Sequence, residues 1–400
     1  IIASGMHYMW FRTMHFQGFT LEMPYLYQDG KNYYNWALHH FDGRCPEPNI
    51  TFVGFSAVML GLFKLLGVSL VWPTAMNIML TLTSVAMCGS LAVAVTRGRT
   101  AMKPSTAATL AMVLLGTHFF YLSHSFLILK EPTIYVAVTM IALALVWLQD
   151  KETRGKRVHA ALALYAGACV ILALVRAKYI NFAAIGVLLL AVQCWRNRWR
   201  SLTVMASLTA IAWLLGMWCS DTYSVSQQVD NMVGGDAMTQ SFGQVNGAQS
   251  GFLGAMDGYF HLPAWKKVLY LPVTIATQYI IPFPWGETKD GWISGMPRIQ
   301  MGWYMCGGIA LCYYAFLSWR RRLNLGMVAW WPVICAAGIA YISAGTVSRY
   351  FLPFQPMLVA VAVYVIATVR GGTCRRLILR AFTAYAVLLL AALAAAFAIM

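Results

Sequence analysis

The stretch LILKEPTIYVAVTMIALALVWLQDKETRGKR, residues 127–157, decides the class of fold. It places an uninterrupted apolar run between the Lys130-Glu131 pair and a segment with four basic residues. A helix that crosses a bilayer needs about 17 to 25 predominantly apolar residues, and the run meets that length. A charge at the bilayer centre costs about 2.5–3.5 kcal/mol on insertion scales, so Lys130 and Glu131 either mark a helix end or have a function.

The composition of the whole chain supports a membrane protein. Hydrophobic residues make up 60% of the sequence and charged residues only 10%, with a mean hydropathy of +0.63. A soluble domain of this composition would lack the polar surface needed to cover its core. We therefore expect an all-α polytopic membrane protein rather than a series of soluble domains.

The net charge of +16 comes from short connections between the apolar runs. These connections hold 17 of the 29 basic residues but only two of the 13 acidic ones, Asp150 and Glu152. The basic residues lie at 97–103, 151–157, 196–200, 320–322 and 370–380. An excess of Lys and Arg in the cytoplasmic loops is the usual orientation signal of membrane proteins, so we predict no nucleic-acid partner.

The apolar runs predict about ten transmembrane helices. They lie at about 72–94, 104–121, 132–149, 158–176, 179–195, 201–219, 299–319, 326–344, 352–369 and 381–400. The predicted organisation is a first outer loop (1–71), a six-helix core (72–219), a long outer loop (220–298) and four C-terminal helices (299–400). If residues 1–50 lie outside, a further helix is expected before Ile1.

Two more apolar runs, at 51–70 and 268–285, are long enough to cross but would put basic clusters on both sides of the membrane. We predict that they are interfacial or re-entrant helices in the outer loops. The segment 221–251 is rich in Gly, Ser, Gln and Asn and is either a substrate-gripping lid or a passive connector.

No nucleotide-binding or zinc-protease motif is present, and the nine cysteines show no metal-ligand spacing. Charged residues from four separate segments are instead predicted at the outer face. They are Asp29, Glu131, Arg176 with Lys178, and Arg349. The site, if there is one, is therefore expected at that face.

Six segments, in this order, resemble the GT-C superfamily of membrane glycosyltransferases. They are QDGKNYYNWA (28–37), GLFKLLGVSLVWPTAMNIML (61–80), LKEP (129–132), LVRAKY (174–179), YLPVTIATQYIIPFPW (270–285) and SRYFLPFQP (348–356). The likeness is greatest to the protein-mannosyltransferase and aminoarabinose-transferase type and to related bacterial polysaccharide-biosynthesis proteins. It implies a GT-C-like helical bundle in the bacterial inner membrane with a periplasmic site.

The resemblance also implies residue roles. Asp29 matches the acidic residue of the first outer loop that handles the acceptor hydroxyl, and Glu131 matches the second acidic residue. Sugars carried on polyprenyl phosphate are the implied donors, and a glycan, lipid or protein is the acceptor. The implied substrate-binding residues are Tyr33, Tyr34, Tyr179 and Trp285. Some members use a divalent metal such as Mg²⁺ or Mn²⁺ and others do not.

The chemistry leads to the same assignments. A sugar transferred outside the cytoplasm must arrive on a lipid with a phosphate leaving group, since nucleotide sugars are not expected there. A carboxylate then takes the proton from the attacking hydroxyl, a role we assign to Asp29. Fixed positive charge stabilises the departing phosphate, a role assigned to Lys130, Arg176, Lys178 and Arg349. Glu131 would orient the acceptor, pair with Lys130 or help bind a metal.

Each of these residues also has a structural interpretation. Asp29 before Gly30 favours a turn, and Glu131 before Pro132 is a normal helix start. The basic residues can extend to lipid headgroups, and Trp285 fits an aromatic belt. Two other functions remain open: a polysaccharide polymerase or ligase, and a carrier or flippase for lipid-linked saccharides.

Overall fold

The structure is a computed structural model, and it describes five main parts of the chain. These are residues 28–44, 54–118, 128–218, 325–343 and 350–368, with shorter pieces at 121–122, 124–126, 259, 262–263, 265–271, 274 and 376. Regular structure in these parts is entirely helical. The predicted helices at 299–319 and 381–400, and most of the predicted outer loop 220–298, lie outside the described residues.

The described parts contain nine α-helices. They are α1 (Gln28–Phe41), α2 (Gly54–Leu66), α3 (Val71–Thr96), α4 (Pro104–Gly116), α5 (Glu131–Gln149), α6 (Lys156–Arg176), α7 (Ile180–Trp218), α8 (Trp331–Ser343) and α9 (Gln355–Thr368). Short 3₁₀ turns at Ala177–Tyr179, Met327–Trp330 and Leu352–Phe354 lead into α7, α8 and α9.

Three described helical stretches are long and apolar enough to cross a membrane: Val71–Thr96, Glu131–Gln149 and Lys156–Trp218. This confirms the prediction of a helical membrane protein in its general form. The third stretch is interrupted by the turn Ala177–Tyr179 and by a non-helical backbone at Arg198 (φ −132°, ψ 15°). The predicted connection at 196–200 is thus a kink within α7, where the Arg198 guanidinium donates to the carbonyls of Asp150 and Thr153.

Several helices are shorter than the sequence pattern suggests. Helix α4 ends at Gly116, although the apolar run predicts a span to residue 121, and it has only 13 residues. Helix α2 also has 13 residues, which gives a length of about 20 Å, well below the roughly 30 Å hydrocarbon core of a bilayer. The number of ten transmembrane helices therefore stays a prediction.

Helix α5 is the centre of the bundle. Fifteen of its 19 residues are buried, and it packs against α3, α6 and α7. A helix that is apolar on all sides is expected in such a position. The Ser84 hydroxyl links α3 to two neighbouring segments. It lies 2.5 Å from the Tyr121 hydroxyl and 3.1 Å from the Thr139 hydroxyl on α5. Such hydrogen bonds between helices are favourable where no water competes.

The bundle has two chemically different ends. At one end, the Arg198 guanidinium on α7 reaches the carbonyls after α5, close to the basic connections. At the other end, the first residue of α5 meets the last residue of α6. The candidate site lies at this second end, which we call the Glu131 end.

Candidate functional site

The Glu131 end is built around a buried ion pair. Nη1 of Arg176 lies 3.6 Å from Oε1 of Glu131, and the two side chains are 15% and 3% exposed. Glu131 is the first residue of α5 and is followed by Pro132, and Arg176 is the last residue of α6. The carboxylate therefore sits at the positive end of one helix dipole and the guanidinium at the negative end of the other.

Two tyrosine rings surround the Arg176 guanidinium. Its carbon lies 4.3 Å from the ring centroid of Tyr350 and 5.8 Å from that of Tyr179. The Tyr179 hydroxyl donates to the Tyr350 carbonyl at 2.7 Å, and the Tyr179 ring stacks on Phe354. Cation–π contacts of this kind hold a guanidinium in place while its N–H groups remain directed at acceptors.

Lys130 contributes a second cation at this end. Its Nζ lies 5.2 Å from the ring centroid of Tyr33 on α1, and its side chain is half-buried. Tyr33 is itself buried and packs edge-on against Phe55 of α2. The first described helix of the chain thus supplies one wall of the site.

Tyr34 lies on a different side of α1. Its ring packs edge-on against Phe63 of α2, 5.5 Å between centroids, and burial raises the pKa of the Tyr34 phenol above its ordinary value. Both tyrosines therefore take part in the α1–α2 contact, and Tyr33 also contacts Lys130.

The segment before Lys130 is held by a buried amide. Nδ2 of Asn77 donates to the Leu129 carbonyl at 2.9 Å, and Asn77 is fully buried on α3. A buried backbone carbonyl needs such a partner, and the bond fixes the chain one residue before the Lys130-Glu131 pair.

Asp29 lies in the first turn of α1 and not in a separate turn, although Asp29 before Gly30 favours a turn in the sequence. Gly30 is buried, and a side-chain carbon placed there would lie only 2.7 Å from the carbonyl oxygen of Ile128. The glycine is needed for this close approach. The backbone of Asp29 is thereby brought next to the segment that leads to Glu131, while its side chain is outside the described part of the structure.

Of three other predicted site residues, the structure describes one. Lys178 lies on the turn Ala177–Tyr179, two residues from Arg176, and is half-buried. Arg349 and Trp285 lie outside the described residues. The described residues contain no group of three or more His, Cys, Asp or Glu side chains that could hold a metal ion, so the predicted divalent metal stays a prediction.

Two residues that help to build the Glu131 end were not identified as site residues from the sequence. Tyr350 belongs to the SRYFLPFQP segment, but nothing in a linear sequence shows that its ring meets Arg176. Asn77 had a usable signal, because a lone amide inside the apolar run of α3 needs a hydrogen-bond partner in lipid.

No protein family, curated protein or solved structure matches this chain. The resemblance to GT-C glycosyltransferases therefore rests on the sequence segments alone. The geometry of the Glu131 end has to be interpreted from its own chemistry.

Proposed function

We propose that the chain is a GT-C-like glycosyltransferase that moves a sugar from a polyprenyl-phosphate donor to an acceptor. One observation supports this most. Glu131, Arg176 and Lys130 lie together at one end of the helical bundle, and the start of α1 packs against the same end. Two cations beside aromatic walls suit a lipid-linked phosphate, which carries negative charge and an apolar tail.

The proposed reaction is an inverting displacement. The acceptor hydroxyl attacks the anomeric carbon, and its proton passes to the Asp29 carboxylate as the new carbon–oxygen bond forms. The bond between that carbon and the phosphate oxygen breaks, and polyprenyl phosphate leaves with the electron pair. Arg176, Lys130, Lys178 and Arg349 would stabilise the charge that grows on the phosphate.

In this mechanism Glu131 acts mainly through Arg176. The carboxylate is almost completely buried and pairs with the guanidinium, which favours a positioning role over the alternatives of acceptor orientation or metal binding. A fixed guanidinium is more effective than a mobile one, because it needs no reorganisation when charge develops. The ring of Tyr350 would help to fix the same group.

The charge distribution supports a location. The described basic residues of 97–103, 151–157 and 196–200 lie at the end opposite Glu131, and such groups face the cytoplasm in most membrane proteins. We propose the inner membrane of a bacterium, with the Glu131 end at the periplasmic side. A lipid-linked donor is then required, since nucleotide sugars are not expected there.

The test uses the full chain in nanodiscs, assayed for transfer from radiolabelled polyprenyl-phosphate hexoses and for binding of polyprenyl phosphate. Asp29→Asn should abolish transfer while binding is retained. Asp42→Asn is the matched control, because Asp42 is exposed and lies just after the same helix. Chelation with EDTA, followed by Mg²⁺ or Mn²⁺, tests for a metal.

The outcomes separate the alternatives. Full activity of Asp29→Asn would remove Asp29 from the mechanism. Product chains that lengthen by whole oligosaccharides would indicate a polymerase or ligase. Binding of the lipid without turnover in the unmodified chain, together with lipid movement across liposomes, would indicate a carrier or flippase.

A further inference from the structure

A cavity of about 440 Å³ lies at the end of the bundle opposite Glu131, between α3, α4 and α5. Its volume is within the range of about 300 to 1,000 Å³ that is typical of small-molecule sites. One part of the wall is small and apolar, and another part is charged. The small residues include Gly89, Ser90 and Ala94, and the charged residues are Arg97, Asp150 and Arg157.

The two arginines give the cavity a positive balance. Both are exposed, and neither makes an ion pair with a side chain in the described part of the chain. Arg157 is in the first turn of α6, where the positive end of the helix dipole disfavours a cation. Gly155 before it offers no side chain to cap the helix. An anion in the cavity would offset the positive charge of the two arginines and accept hydrogen bonds from both guanidinium groups.

The small-residue wall suits a ligand that also has an apolar part. Ser90 is exposed on α3, a helix that is long and apolar enough to span a membrane, so this side of the cavity faces lipid when α3 spans a bilayer. The small side chains of Ser90 and Ala94 leave a groove along α3 that leads to Arg97, whereas Gly89 is buried against Met112 of α4. A free phosphate would use the guanidinium groups but not this groove.

We propose that the cavity binds one anionic phospholipid of the phosphatidylglycerol class. Arg97 and Arg157 contact its phosphate, and one acyl chain follows the small-residue wall of α3. Oδ1 of Asp150 accepts the Glu152 N–H at 3.1 Å, which leaves Oδ2 to accept from a hydroxyl of the glycerol headgroup. Basic pockets between helices at the cytoplasmic side are a known way to recognise anionic lipids. This inference is independent of the proposed transferase activity.

The experiment titrates the delipidated full chain with palmitoyl-oleoyl phosphatidylglycerol or phosphatidylcholine and counts bound lipids by native mass spectrometry. We expect one tightly bound phosphatidylglycerol. Arg97→Gln with Arg157→Gln should weaken it about 30-fold, because each basic group near an anionic lipid contributes a factor of about five. The matched control is Arg154→Gln with Arg196→Gln, which removes two exposed arginines from the basic connections outside the cavity.

A third variant separates a lipid from a soluble anion. Ser90→Phe fills the groove and leaves both arginines in place, so it should weaken phosphatidylglycerol. Inorganic phosphate at millimolar concentration should not displace the lipid. Three results would each overturn the proposal: equal binding of phosphatidylcholine, equal losses in the control pair, or full displacement by phosphate with unchanged binding in Ser90→Phe.

Discussion

Nη1 of Arg176 lies 3.6 Å from Oε1 of Glu131, and these two residues are the last of α6 and the first of α5. The pair joins two helices of the bundle at one end. It also sets the position of the guanidinium between the rings of Tyr350 and Tyr179. The pair therefore has two separable effects, one on the stability of the bundle and one on the position of a group that could bind a ligand.

Glu131→Gln and Arg176→Met, made singly, should each lower the free energy of unfolding by about 3–5 kcal/mol, because each leaves one buried charge without its partner. The double variant should recover part of that loss, since no buried charge then remains. Titration with SDS in mixed micelles measures these values. Arg154→Gln is the control, as it removes an exposed arginine. Additive losses in the double variant would show that the two groups are not coupled.

The sequence predicts the helices better than it predicts the contacts of the site. Apolar length and charge position are local properties, so the ends of α3, α5 and α6 could be predicted to within a few residues. The pairing of Glu131 with Arg176 depends on how two helices pack, and the sequence offered Lys130 as an equally reasonable partner. The roles of Asp29, Arg349 and Trp285 stay predictions.

Two differences between the sequence pattern and the structure have physical causes. The run from residue 104 to 121 carries no Asp, Glu, Lys or Arg, so charge position does not reveal that α4 ends at Gly116. The Asp29-Gly30 dipeptide favours a turn in isolation, but tertiary packing against Ile128 makes Gly30 part of a helix.

Gly30→Ala should loosen α1 from the site. The added methyl carbon would lie 2.7 Å from the Ile128 carbonyl oxygen, so α1 must shift, at a cost of about 1–3 kcal/mol for overpacking. The backbone amides of residues 28–41 should exchange hydrogen faster than in the unmodified chain, and transfer activity should be lower.

Gly61→Ala is the control for that variant. Gly61 lies inside α2 with open space around it, so alanine should stabilise the helix by about 0.8–1 kcal/mol. Equal exchange rates in Gly30→Ala and the unmodified chain would contradict the close contact with Ile128.

Asn77→Leu should destabilise the segment before Lys130. The Leu129 carbonyl would lose the hydrogen bond from the Asn77 amide and remain buried, which costs about 1–3 kcal/mol. Thr83→Val on the same helix is the control, because the Thr83 hydroxyl is exposed and bonds only to its own helix. Thermal unfolding in detergent measures both. Equal effects of the two variants would mean that the Asn77 bond does not hold this segment.

Tyr179→Phe distinguishes a structural from a substrate-binding role. The hydroxyl already donates to the Tyr350 carbonyl, so its loss should lower the free energy of unfolding by about 0.5–1.5 kcal/mol. The stacked ring is retained, and we expect KM for the donor to change little. A large rise in KM without loss of stability would instead show that the hydroxyl contacts substrate.

Lys130→Gln tests the second cation of the site. A charge-assisted hydrogen bond to the donor phosphate contributes about 1.5–3 kcal/mol, so its loss should raise KM for the lipid-linked donor roughly tenfold or more. Tyr33→Leu removes the ring under the ammonium and should give a smaller rise, because the ring positions the half-buried ammonium without itself contacting the phosphate. Lys64→Gln is the matched control, because Lys64 is an exposed lysine in the last turn of α2. Kinetics at low and high salt measure the effect, which should shrink as salt screens the charge. If Lys64→Gln raised KM as much as Lys130→Gln, general surface charge rather than a defined phosphate contact would account for the result.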